Sequence, residues 1–178
     1  RSVVSDDEQA GRTLTESLLT PKPRHIALLG ARAELVISQA RERGFRSALQ
    51  GFDGRISVYH GELFSRACGY RQMQTLLEEV GSPDALLTTA YVLLEGVFDA
   101  LREQGSEQWP SVRLATFGDT QLLDFLPLRV NAMSQQHERI AERVLAWTLR
   151  AVEHNDYQPG IEAIGRSFKA RALSLIHI

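Results

Sequence analysis

Cysteine is almost absent: the 178 residues hold only Cys68. A disulfide framework is therefore excluded, and no Cys/His cluster has the spacing of a metal site, so no metal is expected. No apolar run approaches the roughly 20 residues that a membrane helix needs, and the opening residues do not read as a signal peptide. Charge of one sign is also lacking. Lys and Arg number 20 against 22 Asp and Glu, a net −2, and no basic run reaches five residues. That balance argues against this chain alone being a strong nucleic-acid binder. The phosphate-cradling, nucleophile-elbow and zinc-protease motifs are missing. With no nucleophile and base, acid/base pair or metal set in view, neither catalysis nor a cofactor is expected.

What is present is an ordinary globular composition, 43% hydrophobic and 24% charged. It is too apolar for a disordered chain, and the length suits one domain or one and a fraction. Both ends read as those of a piece. Arg1 opens inside a strand end, Ser2-Val3-Val4, and the chain closes on Leu173-Ser174-Leu175-Ile176-His177-Ile178, apolar after a basic stretch. Truncation is expected at the start, and residues 172–178 are expected to be a non-native tail.

Periodicity predicts an alternation of strands and helices. Asp6 and Asp7 are good caps for a helix over 7–20, stopped by Pro21 and Pro23. His25 to Gly30 is a continuous apolar run, the mark of a strand buried on both faces. Helices follow over 34–50, 64–80 and 91–104, with strands at 56–59, 85–89 and 113–117 between and after them. In the second helix Ile37, Ala40, Ala48 and Leu49 are predicted to face inward; in the third, Ala67, Tyr70, Met73 and Leu77. A short turn at 121–126, a strand at 130–134, a helix at 138–153 and an extended stretch at 161–168 complete the chain. The pattern calls for an α/β fold, a mostly parallel sheet with helices on both faces.

In such sheets ligands sit beyond the carboxyl ends of the strands. Those ends are Gly30-Ala31, His60 to Phe64, Thr89-Ala90-Tyr91 and Phe117-Gly118-Asp119. Arg41, Phe64, Tyr91 and Asp119 carry useful chemistry near that rim. An arginine, a ring and a carboxylate suit a polyol or a small anion. Cys68 reads as a buried mid-helix hydrophobe and His60 as a solvated loop residue, while His137 reads equally as a helix-entry residue or a ligand contact. Leu122, Leu123, Phe125 and Leu126 crowd one short turn. They suit either core packing or a subunit interface. Leu94, Val97 and Phe98 form a stripe on the helix before that turn, and the seven residues together are expected to build a homodimer surface.

Several motifs then stand in order: Val4-Ser5-Asp6-Asp7 with Gly11, Leu14 and Leu18; Arg24 to Gly30; Arg41 with Gly44-Phe45 and Ala48-Leu49; Thr88 to Tyr91 with Leu94 to Val97; and Leu114 to Asp119 followed by Leu122 to Leu126. Over residues 1 to about 171 the chain resembles the effector-binding core of LacI-type bacterial transcription regulators. The segment 114–126 is similar to a subgroup whose members respond to phosphorylated fructose.

The resemblance implies a two-lobed core like that of periplasmic sugar-binding proteins, preceded by a helix-turn-helix headpiece. Residues 1–171 would hold the C-terminal part of that core, with a crossover strand near 130–134 and a helix that belongs to the other lobe. The resemblance also implies an effector site of Arg41, Phe64, Ala90, Gly118, Asp119, Gln135 and His137. Gly118 departs from the aspartate that holds sugar hydroxyls in many members, and Asp119 is its neighbour. The function implied is a cytoplasmic, sugar-phosphate-responsive regulator that binds operator DNA through the missing headpiece, with fructose 1-phosphate or fructose 1,6-bisphosphate as effector. Arg41→Ala is then expected to weaken effector binding without unfolding the lobe. The alternative is a periplasmic sugar-binding protein of a transporter.

Overall fold

The computed structural model describes residues 2–105, 111–119, 123–124, 130–134, 137–154, 161–164 and 167–171. Their order is β1 (Ser2–Ser5), α1 (Asp7–Glu16), β2 (His25–Ala31), α2 (Val36–Ala48), β3 (Arg55–Gly61), α3 (Arg66–Glu79), β4 (Ala85–Thr88), α4 (Tyr91–Glu103), β5 (Arg113–Phe117), β6 (Val130–Ser134), α5 (His137–His154), β7 (Ile161–Ile164) and β8 (Ser167–Lys169). Six strands form one sheet in the order β3-β2-β4-β5-β6-β8, and β1 pairs with β7 in a separate two-stranded sheet. All pairings in the large sheet are parallel except β6 with β8. The expected α/β architecture is the observed one.

Alternation along the strands feeds two cores. Ala27, Leu29, Leu86 and Leu114 meet Met73 and Leu76 of α3 and Leu94, Val97 and Leu101 of α4 on one face. Ile26, Leu28, Leu87 and Phe117 meet Leu14 of α1 and Phe45 of α2 on the other. β2 is buried at every position because it lies inside the sheet with helices above and below. Its neighbour β3 is an edge strand and half exposed. Two buried threonines on adjacent strands satisfy each other, Thr88 Oγ1 donating to Thr116 Oγ1 at 2.8 Å.

The helix pairs cross very closely. A Cβ built on Gly44 would lie 2.0 Å from the Glu8 carbonyl oxygen, and one on Gly11 would lie 2.5 Å from that of Arg41. Gly69 and Gly96 let α3 and α4 approach in the same way. Small residues thus define the packed stripes, which corrects two predicted faces. In α2 the buried positions are Ser38, Arg41, Gly44 and Phe45, while Ile37, Ala40 and Ala48 are only half-buried; Leu49, just past the helix, is buried as expected. In α3 Met73 is buried as expected, but Ala67 is exposed and Tyr70 and Leu77 are partly covered. The predicted stretch 161–168 is two strands in two different sheets, and α1 ends at Glu16 rather than at 20.

The expected dimer surface also needs correction. Leu94 and Val97 are 0% exposed and Leu123 1%, all inside the core beneath α4. The i, i+3, i+4 stripe of α4 is used up in covering the sheet, so these three side chains cannot face a second subunit. Phe98 is half-buried against the same core. Leu122, Phe125 and Leu126 lie outside the described residues, as do 172–178. Among the described residues no helix is long and apolar enough to cross a membrane.

Arg66 bridges α3 to α4, its Nε and Nη2 donating to the Asp99 carboxylate at 2.5 and 2.7 Å. This fork holds the Asp99 carboxyl below the usual range. A depressed folded-state pKa contributes stability above the unfolded value near 3.8 and loses it as pH falls through the folded value. Asp99→Asn is therefore expected to melt below wild type at neutral pH. The gap should close below about pH 4, which a pH series of thermal melts reads directly.

Candidate functional site

From β2 the chain runs through α2 to β3 on one side, then returns through α3 to β4 on the other. The helices that follow β2 and β4 therefore lie on opposite faces, and the carboxyl ends of these strands are where such sheets bind ligands. The N-termini of both helices meet this rim. Leu35 before α2 and Ala90 before α4 supply no side-chain cap, and neither first turn holds an acid. By contrast α1 and α3 are capped by Asp6 and Ser65. Uncapped amides at the rim suit a polar or anionic ligand.

Arg41 lies beside these strand ends, with its guanidinium on the Thr89 carbonyl. It is 8% exposed. Its Nε donates to Asp7 Oδ1 at 2.9 Å, its Nη1 donates to the Thr89 carbonyl at 2.5 Å, and its guanidinium lies 4.4 Å from the Phe117 ring centroid. Charge, fork and ring contact thus tie α1, α2, β4 and β5 together at one point. Asp7 is the residue that sequence reasoning missed. Both aspartates read as caps, yet Asp6 alone takes that role by accepting from the Gln9 amide, which leaves the Asp7 carboxylate to Arg41.

Phe64 and Ala90 come together on one wall, packed with Ala31, Cys68 and Leu93. Cys68 is buried there, in the first turn of α3 rather than mid-helix. Tyr91 opens α4, and burial, reinforced by the charge of Glu95, pushes its phenol above the ordinary value. It therefore stays protonated and can donate. Val36 and Leu63 expose apolar surface at the same rim.

Gly118 sits at φ 88°, and a Cβ there would lie 3.1 Å from Tyr91 Cβ. A side chain at 118 would be strained and crowded, which is why glycine fits here. Asp119 does not stand in for it as a free carboxylate. It accepts from Arg171 Nη2 at 2.8 Å, and Arg171 in turn donates to Asp124 Oδ1 at 2.9 Å and to the Val130 carbonyl. Asp119 is thus committed to a structural ion pair. His60 is not in a loop: it belongs to β3, and its Nε2 lies 2.8 Å from Glu42 Oε2. His137 begins α5, and Gln135 lies outside the described residues. Among the described residues no three acidic, His or Cys side chains group as a metal site. The arrangement can hold a polyol between a forked arginine, a ring and a phenol.

Residues 15–171 match the periplasmic binding protein-like domain. The chain belongs to that family. Its relatives within this fold are regulators. The chain is 44% identical over 169 residues to the fructose operon regulatory protein of Vibrio cholerae, covering 95% of this chain and 51% of the relative. It is 34% identical over 173 residues to the catabolite repressor/activator of Escherichia coli, covering 97% and 52%. It is also similar to a crystal structure of the Cra transcriptional dual regulator from Pseudomonas putida in complex with fructose 1-phosphate. That similarity has a TM-score of 0.91 and 55% identity over 96% of this chain and 63% of the other. The chain spans about half the length of the curated relatives it matches. The resemblance to LacI-type regulators of the fructose subgroup, read from the motifs, holds.

Proposed function

We propose that this chain is the effector-binding part of a sugar-phosphate-responsive transcription regulator, with fructose 1-phosphate as effector. The carrying observation is its 55% identity and TM-score of 0.91 to a regulator whose crystal structure contains fructose 1-phosphate. Names of the curated relatives favour a regulator over a transport protein or an enzyme. The rim supports the reading chemically. Arg41 with Asp7 offers a fixed donor–acceptor pair for sugar hydroxyls, Phe64 offers an apolar wall, and the uncapped starts of α2 and α4 offer amides. Gln135 and His137 are further members of the proposed effector site. Residues 1–171 belong to the C-terminal part of the core. Operator DNA is bound through a headpiece beyond this chain, by a homodimer in the cytoplasm.

Effector binding closes the two lobes and lowers operator affinity. Such couplings amount to about 1–3 kcal/mol, or roughly 5–150-fold. The full-length protein is therefore expected to bind fructose 1-phosphate saturably in calorimetry and to release operator DNA in a fluorescence-anisotropy titration. Sugar phosphate that leaves both signals unchanged would rule the reading out.

A further inference from the structure

Arg171 touches none of the residues that face the effector, yet its side chain is more deeply buried than that of Arg41, 3% exposed against 9%. Its guanidinium meets three acceptors: Asp119 Oδ1 at 2.8 Å, Asp124 Oδ1 at 2.9 Å and the Val130 carbonyl at 3.0 Å. Its amide donates to Asn131 Oδ1 at 2.7 Å. Stability alone is a poor reason for such an arrangement, because a buried ion pair is often no better than well-packed apolar side chains.

The direction of the pair is informative. The β6–β8 register, continued past Ala132 and Lys169, puts Arg171 level with Val130, and Val130 is level with Leu114 at the start of β5. Asp119 follows the other end of β5, just beyond the turn at Gly118 beside Tyr91. The ion pair therefore draws the Asp119 carboxylate back along the strands, away from the rim. The charges also balance: Arg171 and Lys169 face Asp119 and Asp124. Among the described residues Asp124 has a second cation in Lys169, at 3.0 Å, and Asp119 has none. Loss of Arg171 would leave the unmatched negative charge on Asp119, one residue past the rim. Arg41 and Asp7 already cancel there. An anion bound at the rim would feel that charge through space, without any contact.

We infer that Arg171 is a positioning residue that sets the charge of the effector rim, holding Asp119 back and matching it so that an anionic sugar is admitted. This rests on the sugar-phosphate reading above and adds to it a residue outside the contact surface that favours phosphorylated over uncharged sugars.

The full-length protein and the variants Arg171→Met, Asp119→Asn and Arg171→Met/Asp119→Asn test it by calorimetry with fructose 1-phosphate. Arg171→Met is expected to bind about tenfold more weakly at low salt. The deficit should shrink in high salt, and again as pH is lowered through about 6, where a phosphate monoester takes up a proton and loses one charge. Asp119→Asn should bind several-fold more tightly, and the double variant should regain most of the wild-type affinity. These two keep the test decisive even where Arg171→Met folds poorly. A folded double variant that stays as weak as the single one, or a deficit that ignores salt and pH, makes Arg171 a structural brace and overturns the inference while the function stands. Weaker binding by Asp119→Asn overturns it too, since the carboxylate would then serve the effector directly. Wild type that binds no fructose 1-phosphate overturns both.

Discussion

Gly44→Ala is expected to destabilise the fold by about 3 kcal/mol, at the upper end of ordinary overpacking. In an isolated helix the same change would help by roughly 1 kcal/mol, so the sign alone is diagnostic. The added Cβ would meet the Glu8 carbonyl oxygen at 2.0 Å and the Arg12 amide nitrogen at 2.7 Å. Both are backbone atoms, and neither can rotate away. α1 would have to lift off α2, and Asp7 and Arg41 ride on these two helices. A chemical melt of the variant reads the loss, and its effector affinity should fall alongside. A midpoint at or above wild type would show that the helices do not cross as closely as described.

That crossing also explains what the sequence reveals and what it hides. The alternation of elements is legible because each strand is a short apolar run and each helix an amphipathic stretch closed by proline or glycine. β2 is the clearest case, since burial on both faces leaves no polar residue between Ile26 and Ala31. Helix faces are less legible. Hydrophobicity points to Ile37 and Ala40, yet the α1–α2 contact is made through Gly44 and Arg41, and Ser38 is buried with its hydroxyl on the Ala31 carbonyl, residues whose small size or internal pairing no apolar scale registers. The stripe on α4 illustrates the converse. Leu94 and Val97 are spaced as an interface would be, but the same spacing is what covering a sheet requires, and they are fully buried.

The rim behaves in the same way. Its strand ends follow from topology, which brings Arg41, Phe64, Ala90 and Tyr91 toward one edge of the sheet. The partners that set its electrostatics come from far along the chain: Asp7 for Arg41 and Arg171 for Asp119. Such pairings depend on tertiary placement, and local sequence carries no sign of them.

Arg41→Ala is expected to do more than weaken effector binding, which changes the expectation drawn from the sequence alone. The guanidinium is 9% exposed and its Asp7 partner 12%. Removing one member of a pair this buried leaves an uncompensated carboxylate and typically costs about 3–5 kcal/mol. The Thr89 carbonyl loses its donor as well, and Phe117 loses the cation over its ring. The single variant should therefore be marginally folded, with affinity and stability falling together. The double variant Asp7→Ala/Arg41→Ala separates the two effects. Without the stranded carboxylate it should regain part of the stability, in the manner of a double-mutant cycle, and still fail to bind fructose 1-phosphate. Arg41→Lys keeps the charge but cannot reach Asp7 and Thr89 with one planar fork, so it should fold and bind weakly. Full affinity in a stable double variant would remove Arg41 and Asp7 from the effector site and leave them as a brace between α1, α2 and the sheet.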